Sequence, residues 1–159
     1  VAINSELKEE DYPNLKFENR LSYVAQVLIS RKFSDKLSLE IAPSVFHENT
    51  LRDILDENNA VILPNPQDNT QFAVGLGGRY KLTSRWSVNV DYAAHLNRAS
   101  QSNYKNQLSI GADLETGGHV FQMHFTNAQA MHETGYLGQT VGDWSKGEIA
   151  FGFNLVRVF

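Results

Sequence analysis

Taken two residues at a time, the chain separates again and again into one apolar row and one row of small or polar residues. The stretch 86–96 shows it most cleanly: Trp86, Val88, Val90, Tyr92, Ala94 and Leu96 alternate with Ser87, Asn89, Asp91, Ala93 and His95. A period of two is the mark of a strand with unlike faces. The same alternation predicts strands over 1–7, 17–33, 37–47, 71–82, 107–115, 119–126 and 147–159. In the last of these Ile149, Phe151, Phe153, Leu155, Arg157 and Phe159 oppose Glu148, Ala150, Gly152, Asn154, Val156 and Val158, so the chain ends on an aromatic-rich strand. Eight strand segments, all fit for antiparallel neighbours, predict an all-β, up-and-down barrel.

The connections between these strands alternate in length. Three are tight turns, 34–36, 83–85 and 116–118, rich in Ser, Thr, Asp and Gly. The others, 8–14, 50–69, 97–105 and 127–146, are longer. Transmembrane barrels have this asymmetry, with short turns on the periplasmic side and long loops outside. The alternation therefore predicts a barrel in the outer membrane with its C-terminus periplasmic and its long loops extracellular. Phe33, Tyr80, Trp86 and Phe159 fall beside the short turns, as an interfacial girdle requires, while Phe125, Phe151 and Phe153 are expected to face lipid. Within the layout, Pro43 predicts a bulge or a weakly paired position. Thr50 is placed to cap a short helix through Leu51, Ile54 and Leu55, before Pro64 and Pro66 end regular structure.

Composition decides which side of such a barrel is wet. A soluble lipocalin-like carrier, the alternative, would carry Lys and Glu outside and an apolar lining within. Here the polar row is mostly Ser, Asn, Gln, Gly and Ala, which suits a confined lumen, and the other row holds nearly all the rings and branched aliphatics. Mean hydropathy is -0.35, and no run approaches the roughly 18 apolar residues of a membrane helix, but alternating strands give a low mean in any case. The net charge of -4, without a Lys/Arg cluster, makes nucleic acid an unexpected partner. With no cysteine, neither a disulfide framework nor a thiolate metal site is expected. A chain that starts at Val1, with neither initiator Met nor signal peptide, is expected to be a processed or truncated product.

The candidate lumen-lining residues are Glu40, Arg79, Lys81, Asn89, Asp91, His95, Asp113, Glu115, Gln122, His124 and Asn154. A tight turn at 83–85 would put Arg79 opposite Asn89 and diagonal to Asp91, within reach of an ion pair. Such a network either plugs a narrow barrel or lines a selective pore. His119 and His124 are five apart and so point to opposite faces; His95 with His124 is the alternative pair, weighed against ordinary lumen hydrogen bonding, and no metal or other cofactor is expected. Gly75-Leu76-Gly77-Gly78 lacks the Lys-Ser/Thr and helix of a phosphate loop and reads as strand. His124 with Ser109 is the one pair resembling hydrolytic chemistry, and no motif marks either residue as activated, so no catalytic role is expected. Asp53, Asp56, Glu57 and Asp68 match no calcium spacing; Leu51, Ile54, Leu55, Val61, Ile62 and Leu63 are expected to form a constriction or to meet a partner protein.

Three stretches, LISRKFSDKLSLEIAPSVFH (28–47), GLGGRYKLTSRWSVNVDYA (75–93) and LSIGADLETGGHVFQMHFTNAQAMHETGYLGQTVGDWSKGEIAFGFNLVRVF (108–159), resemble an uncharacterised family of outer-membrane β-barrel proteins found in Bacteroidota. ETGGHVFQMHFTN is the most specific segment. The resemblance implies a barrel with a periplasmic C-terminus and, as members look longer before Val1, two alternatives, eight segments that close by themselves or the C-terminal part of a wider barrel; it supplies no activity. The expected function is a passive pore or a structural subunit of an outer-membrane assembly. Its expected partners are the bilayer, the barrel assembly machinery that reads the C-terminal strand, and other outer-membrane subunits.

Overall fold

A computed structural model describes residues 1–3, 15–51, 54–55, 61–63 and 66–157. Its strands are β1 (Ala2–Ile3), β2 (Leu21–Gln26), β3 (Ile29–Lys32), β4 (Leu37–Glu48), β5 (Ile54–Leu55), β6 (Val61–Leu63), β7 (Thr70–Lys81), β8 (Trp86–His95), β9 (Gln107–Thr116), β10 (His119–Thr126) and β11 (Ala150–Arg157). One short helix, α1 (Glu133–Gly138), lies between β10 and β11. The main sheet runs β1-β2-β4-β7-β8-β9-β10-β11, antiparallel throughout, with β3 beside β4, and it curls into a half-barrel. Among the described residues β1 and β11 stand at its two ends.

The turns explain the register. Ser34 and Thr83 act alike: the Ser34 hydroxyl accepts from the backbone N–H groups of Lys36 and Leu37, and that of Thr83 from Arg85 and Trp86. Each hydroxyl satisfies donors that the tight reversal exposes. At the third turn Thr116 pairs with His119 across Gly117 and Gly118, both at positive φ, as a two-residue reversal requires. All three reversals lie at one end of the sheet, and the connections 97–105 and 127–146 lie at the other.

Where 17–33 reads as one strand, the structure has a 3-10 turn over Phe17–Arg20 and then β2 and β3, interrupted at Val27 and Leu28. The register on either side is unbroken, Gln26 opposite Ser44 and Ile29 opposite Ile41. The interruption faces Pro43: Val27 donates to the Pro43 carbonyl at 3.1 Å, and the proline has no N–H to return. Pro43 thus weakens one ladder without a bulge. The helix expected from Thr50 is a second correction, since Ile54–Leu55 pairs antiparallel with Val61–Leu63 as a small hairpin. Its residues are β-branched or leucine, well suited to an extended pair. Of the predicted strand 1–7 only Ala2–Ile3 is described as strand; the loop 8–14, Asp53, Asp56, Glu57, Pro64 and Phe159 lie outside the described residues.

Burial runs opposite to that of a water-soluble fold. Trp86 is 41% exposed, Phe125 48% and Phe153 53%, as members of continuous apolar rows on the convex side. Among the described residues the buried ones are mainly polar, including Ser22, Ser44, Glu48, Gln71, Ser87, His95, Gln107 and Asp113, and the buried apolar set is Ala42, Phe46, Ala73, Ala93 and Leu137. In water such an outer surface would leave a large apolar area unsatisfied. In hydrocarbon it is the stable arrangement, because lipid solvates the rows and the polar groups find partners within.

Candidate functional site

The concave face is built in rungs, each crossing the sheet from strand to strand through directly opposed residues. The rung that holds Ser30, Glu40, Gly77, Asp91, Ser109 and Thr126 puts two carboxylates on either side of a glycine. Toward the short turns the next rung holds Ser38, Arg79, Asn89, Gly111, His124 and Gly152, and the one after it Lys81, Ser87, Asp113, Gln122 and Asn154. Glycines alternate with long polar groups for a spatial reason. A Cβ on Gly111 would overlap the Asn89 amide, and one on Gly152 would overlap the His124 ring, so each glycine opens the space that its neighbour fills.

Arg79 organises the short-turn end. Its Nε donates to Asp113 Oδ2 at 3.1 Å and to Ser87 Oγ at 3.1 Å, and its Nη2 to Glu115 Oε1 at 2.9 Å. Asn89 Nδ2 adds a bond to Asp113 Oδ1 at 2.9 Å. Arg79 does lie opposite Asn89, yet its ion pairs are with Asp113 and Glu115 instead of Asp91. The guanidinium leans over Ser87, whose small side chain leaves the route to β9 open, and there it meets a carboxylate already buried and in need of charge. Among the described residues no ion pair forms at Glu40 or Asp91, which face the cavity in the neighbouring rung.

That cavity, of about 410 Å³, is lined by Glu40, Arg79, Asn89, Asp91, Asp113, Gln122, His124 and Asn154 among others. A second space of about 540 Å³ adjoins it, walled by Asp91, Gln107, Ser109, His124, Thr126 and Asn154 on the strands and by Gln129 and Tyr136 on the β10–β11 connection. Of the expected lining residues, Lys81 and Glu115 sit beyond these spaces at the short-turn end, and His95 is elsewhere. His95 is buried at the other end, its ring 5.6 Å from that of Phe46, with neither ring nitrogen hydrogen-bonded. It is three rungs from His124, so the two imidazoles are not brought together. Ser109 receives the Gln107 amide at 2.6 Å, which occupies the hydroxyl weighed for hydrolysis. Among the described residues no group of His and carboxylates is arranged to hold a metal ion.

The long-connection end holds the groups that the strand pattern does not reveal. Glu48 takes Gln71 Nε2 on Oε2 at 3.0 Å and Gln139 Nε2 on Oε1 at 2.6 Å. Asn127 accepts from the Leu108 N–H and donates to the carbonyls of Asn106 and Gly142. Tyr136 of α1 is packed inward, and burial pushes its phenol above the ordinary value. The clue to this region is Phe46, the one ring in the inward row of β4, beside which the strands place, as apolar groups, only Ala73, Ala93 and the partly buried Val24.

A family model described as a membrane bound beta barrel domain (DUF5777) matches residues 1–159. The chain belongs to this family. No curated protein and no solved structure matches it. A membrane-bound barrel domain agrees with the burial pattern, in which the convex rows are apolar and exposed; Phe33, Tyr80 and Trp86, all exposed, stand at the end where the short turns lie. Phe125 and Phe151 stack across β10 and β11 on the same convex side, with ring centroids 5.4 Å apart.

Proposed function

We propose that this protein is an outer-membrane barrel acting as a passive pore for small hydrophilic solutes, without a catalytic step. The observation that carries the proposal is the pair of adjoining spaces, about 410 and 540 Å³, into which the concave face brings Glu40, Arg79, Asp91 and His124, backed by a convex side of exposed apolar rows. Periplasmic short turns and extracellular long connections follow from the same orientation rule. Among the described residues the sheet runs from β1 to β11 without closing on itself, and closure by further strands is supported because an open edge in hydrocarbon costs several kcal/mol for each unsatisfied backbone group. Half-barrel curvature in eight successive strands fits a barrel wide enough for an aqueous path.

Single-channel recording in planar bilayers tests this reading. The pore predicts discrete conductance steps, and Arg79→Ala alters them by releasing Asp113 and Glu115 into the path. Silence in the intact protein would refute the pore and leave a structural subunit whose open edges pair with other outer-membrane chains.

A further inference from the structure

The connection between β10 and β11 turns back over the concave face instead of standing clear of it. Leu137 of α1 is 1% exposed, packed with Phe46, Ala73 and Ala93, and Val24 and Tyr136 flank the cluster. Gly138 lies so close to Phe46 that a Cβ there would stand 2.9 Å from the ring. The ends of the connection are tied to the rim. Asn127 joins it to Asn106 and Leu108, Trp144 Nε1 donates to the Leu108 carbonyl at 3.1 Å, and Lys105 bridges to Thr140.

We propose that residues 127–149 form a plug that narrows the pore from its outer end, seated on Phe46 and clamped by Glu48. This rests on the pore reading above. The clamp is the division of one carboxylate: Oε2 is held by Gln71 of the wall and Oε1 by Gln139 of the plug, so Glu48 fastens a moving part to a fixed one. Charge-assisted bonds of this kind are among the stronger single fastenings available. The seat is small by contrast. Two of its four buried members are alanines, so little apolar area holds α1 down, and a helix of 6 residues has no stability of its own. Lifting α1 with its ends still tied at the rim would open the space beneath, where Tyr136 and Gln129 now wall the larger cavity.

The test uses the full chain, with Glu48→Ala to cut the clamp and Gly138→Val to unseat the helix, and Ser84→Ala, exposed in a short turn away from both spaces, as control. In planar bilayers both plug variants should conduct at least severalfold more than the wild type, and the control should match it. A second readout needs no current. The chain has no cysteine, so Ala93→Cys, 2% exposed beneath Leu137, gives a unique thiol. It should react with a membrane-impermeant maleimide at least tenfold faster when Glu48→Ala is added. Conductance in the wild type with no change in current or labelling in either variant refutes the plug and spares the pore. Faster labelling with no conductance in any form refutes the pore and with it the gating role. Gel mobility with and without heating shows that each variant is folded.

Discussion

Ser109 and Ile110 are neighbours on β9 and face opposite sides of the sheet, so one substitution made at each position reads out what surrounds that side. Ile110 is exposed on the convex face between Val90 and Phe125, and Ser109 lines the cavity between Asp91 and Thr126. The 10 residues of β9 span about 33 Å at a rise of about 3.3 Å per residue, or about 25 Å of height at a strand tilt near 40°. That height equals the apolar band of an outer-membrane barrel, which puts Ile110 about 8 Å inside it. An arginine there should therefore cost roughly 2–3 kcal/mol, somewhat below the midplane value. Ser109→Arg brings a cation toward Asp91 and Glu40, which have no ion pair among the described residues, and should cost less than about 1 kcal/mol. Equilibrium unfolding in urea from lipid vesicles, followed by tryptophan fluorescence, measures both. A solvated exterior predicts the reverse order, with Ile110→Arg nearly neutral and Ser109→Arg costing several kcal/mol as a buried charge. That reverse order would refute the assignment of faces.

Further consequences follow from the concave face and its rim. Gly152→Val should destabilise by about 1–3 kcal/mol, because the new side chain needs the space of the His124 ring, and adding His124→Ala should recover most of the loss in a double-mutant cycle. If the pore conducts, Glu40→Gln with Asp91→Asn should lower its preference for cations, seen as a shift of reversal potential toward zero in a salt gradient, since these carboxylates lie on one rung with only Gly77 between them. The Ser145 hydroxyl and backbone N–H donate to Asp143 and hold its carboxyl below the ordinary value. A lowered folded value means that this bond stabilises the Trp144–Lys146 turn fully above the ordinary carboxylate range, and that the contribution is lost as pH falls through the folded value. Hydrogen exchange of the Ser145 amide should accelerate on that acid limb relative to its intrinsic rate, and Asp143→Ala should remove the pH dependence.

The strands and hairpins were legible because two signals coincide: a strict period of two in each strand, and Ser-x-x, Thr-x-x or Gly-Gly at each short reversal. The alternation in connection length matches the gathering of the three short reversals at one end of the sheet. Arg79 was recognised as an ion-pairing residue, but the direction of its reach was not. Asp91 and Ser87 are equivalent diagonals by register, and only the burial of Asp113 behind Ser87, a three-dimensional fact, decides between them. The plug was not legible either. Its helix, Glu-Thr-Gly-Tyr-Leu-Gly, is too short for a 3.6 period and has two glycines, so its conformation comes from the seat at Phe46 instead of from local propensity. The helix expected after Thr50 failed for the converse reason: a capping residue and spaced leucines describe a helix start, but 54–55 and 61–63 had each other as extended partners.

The account as a whole depends on which side of the sheet meets lipid. Spin labels placed singly at 87–92 of β8, in protein embedded in bilayers, test this directly through relaxation by oxygen and by a water-soluble nickel chelate. Oxygen relaxation should peak at 88, 90 and 92, with the nickel reagent reaching 89 and 91 and neither reaching the buried 87. Oxygen maxima at 89 and 91, with nickel access at 88, 90 and 92, would contradict the account.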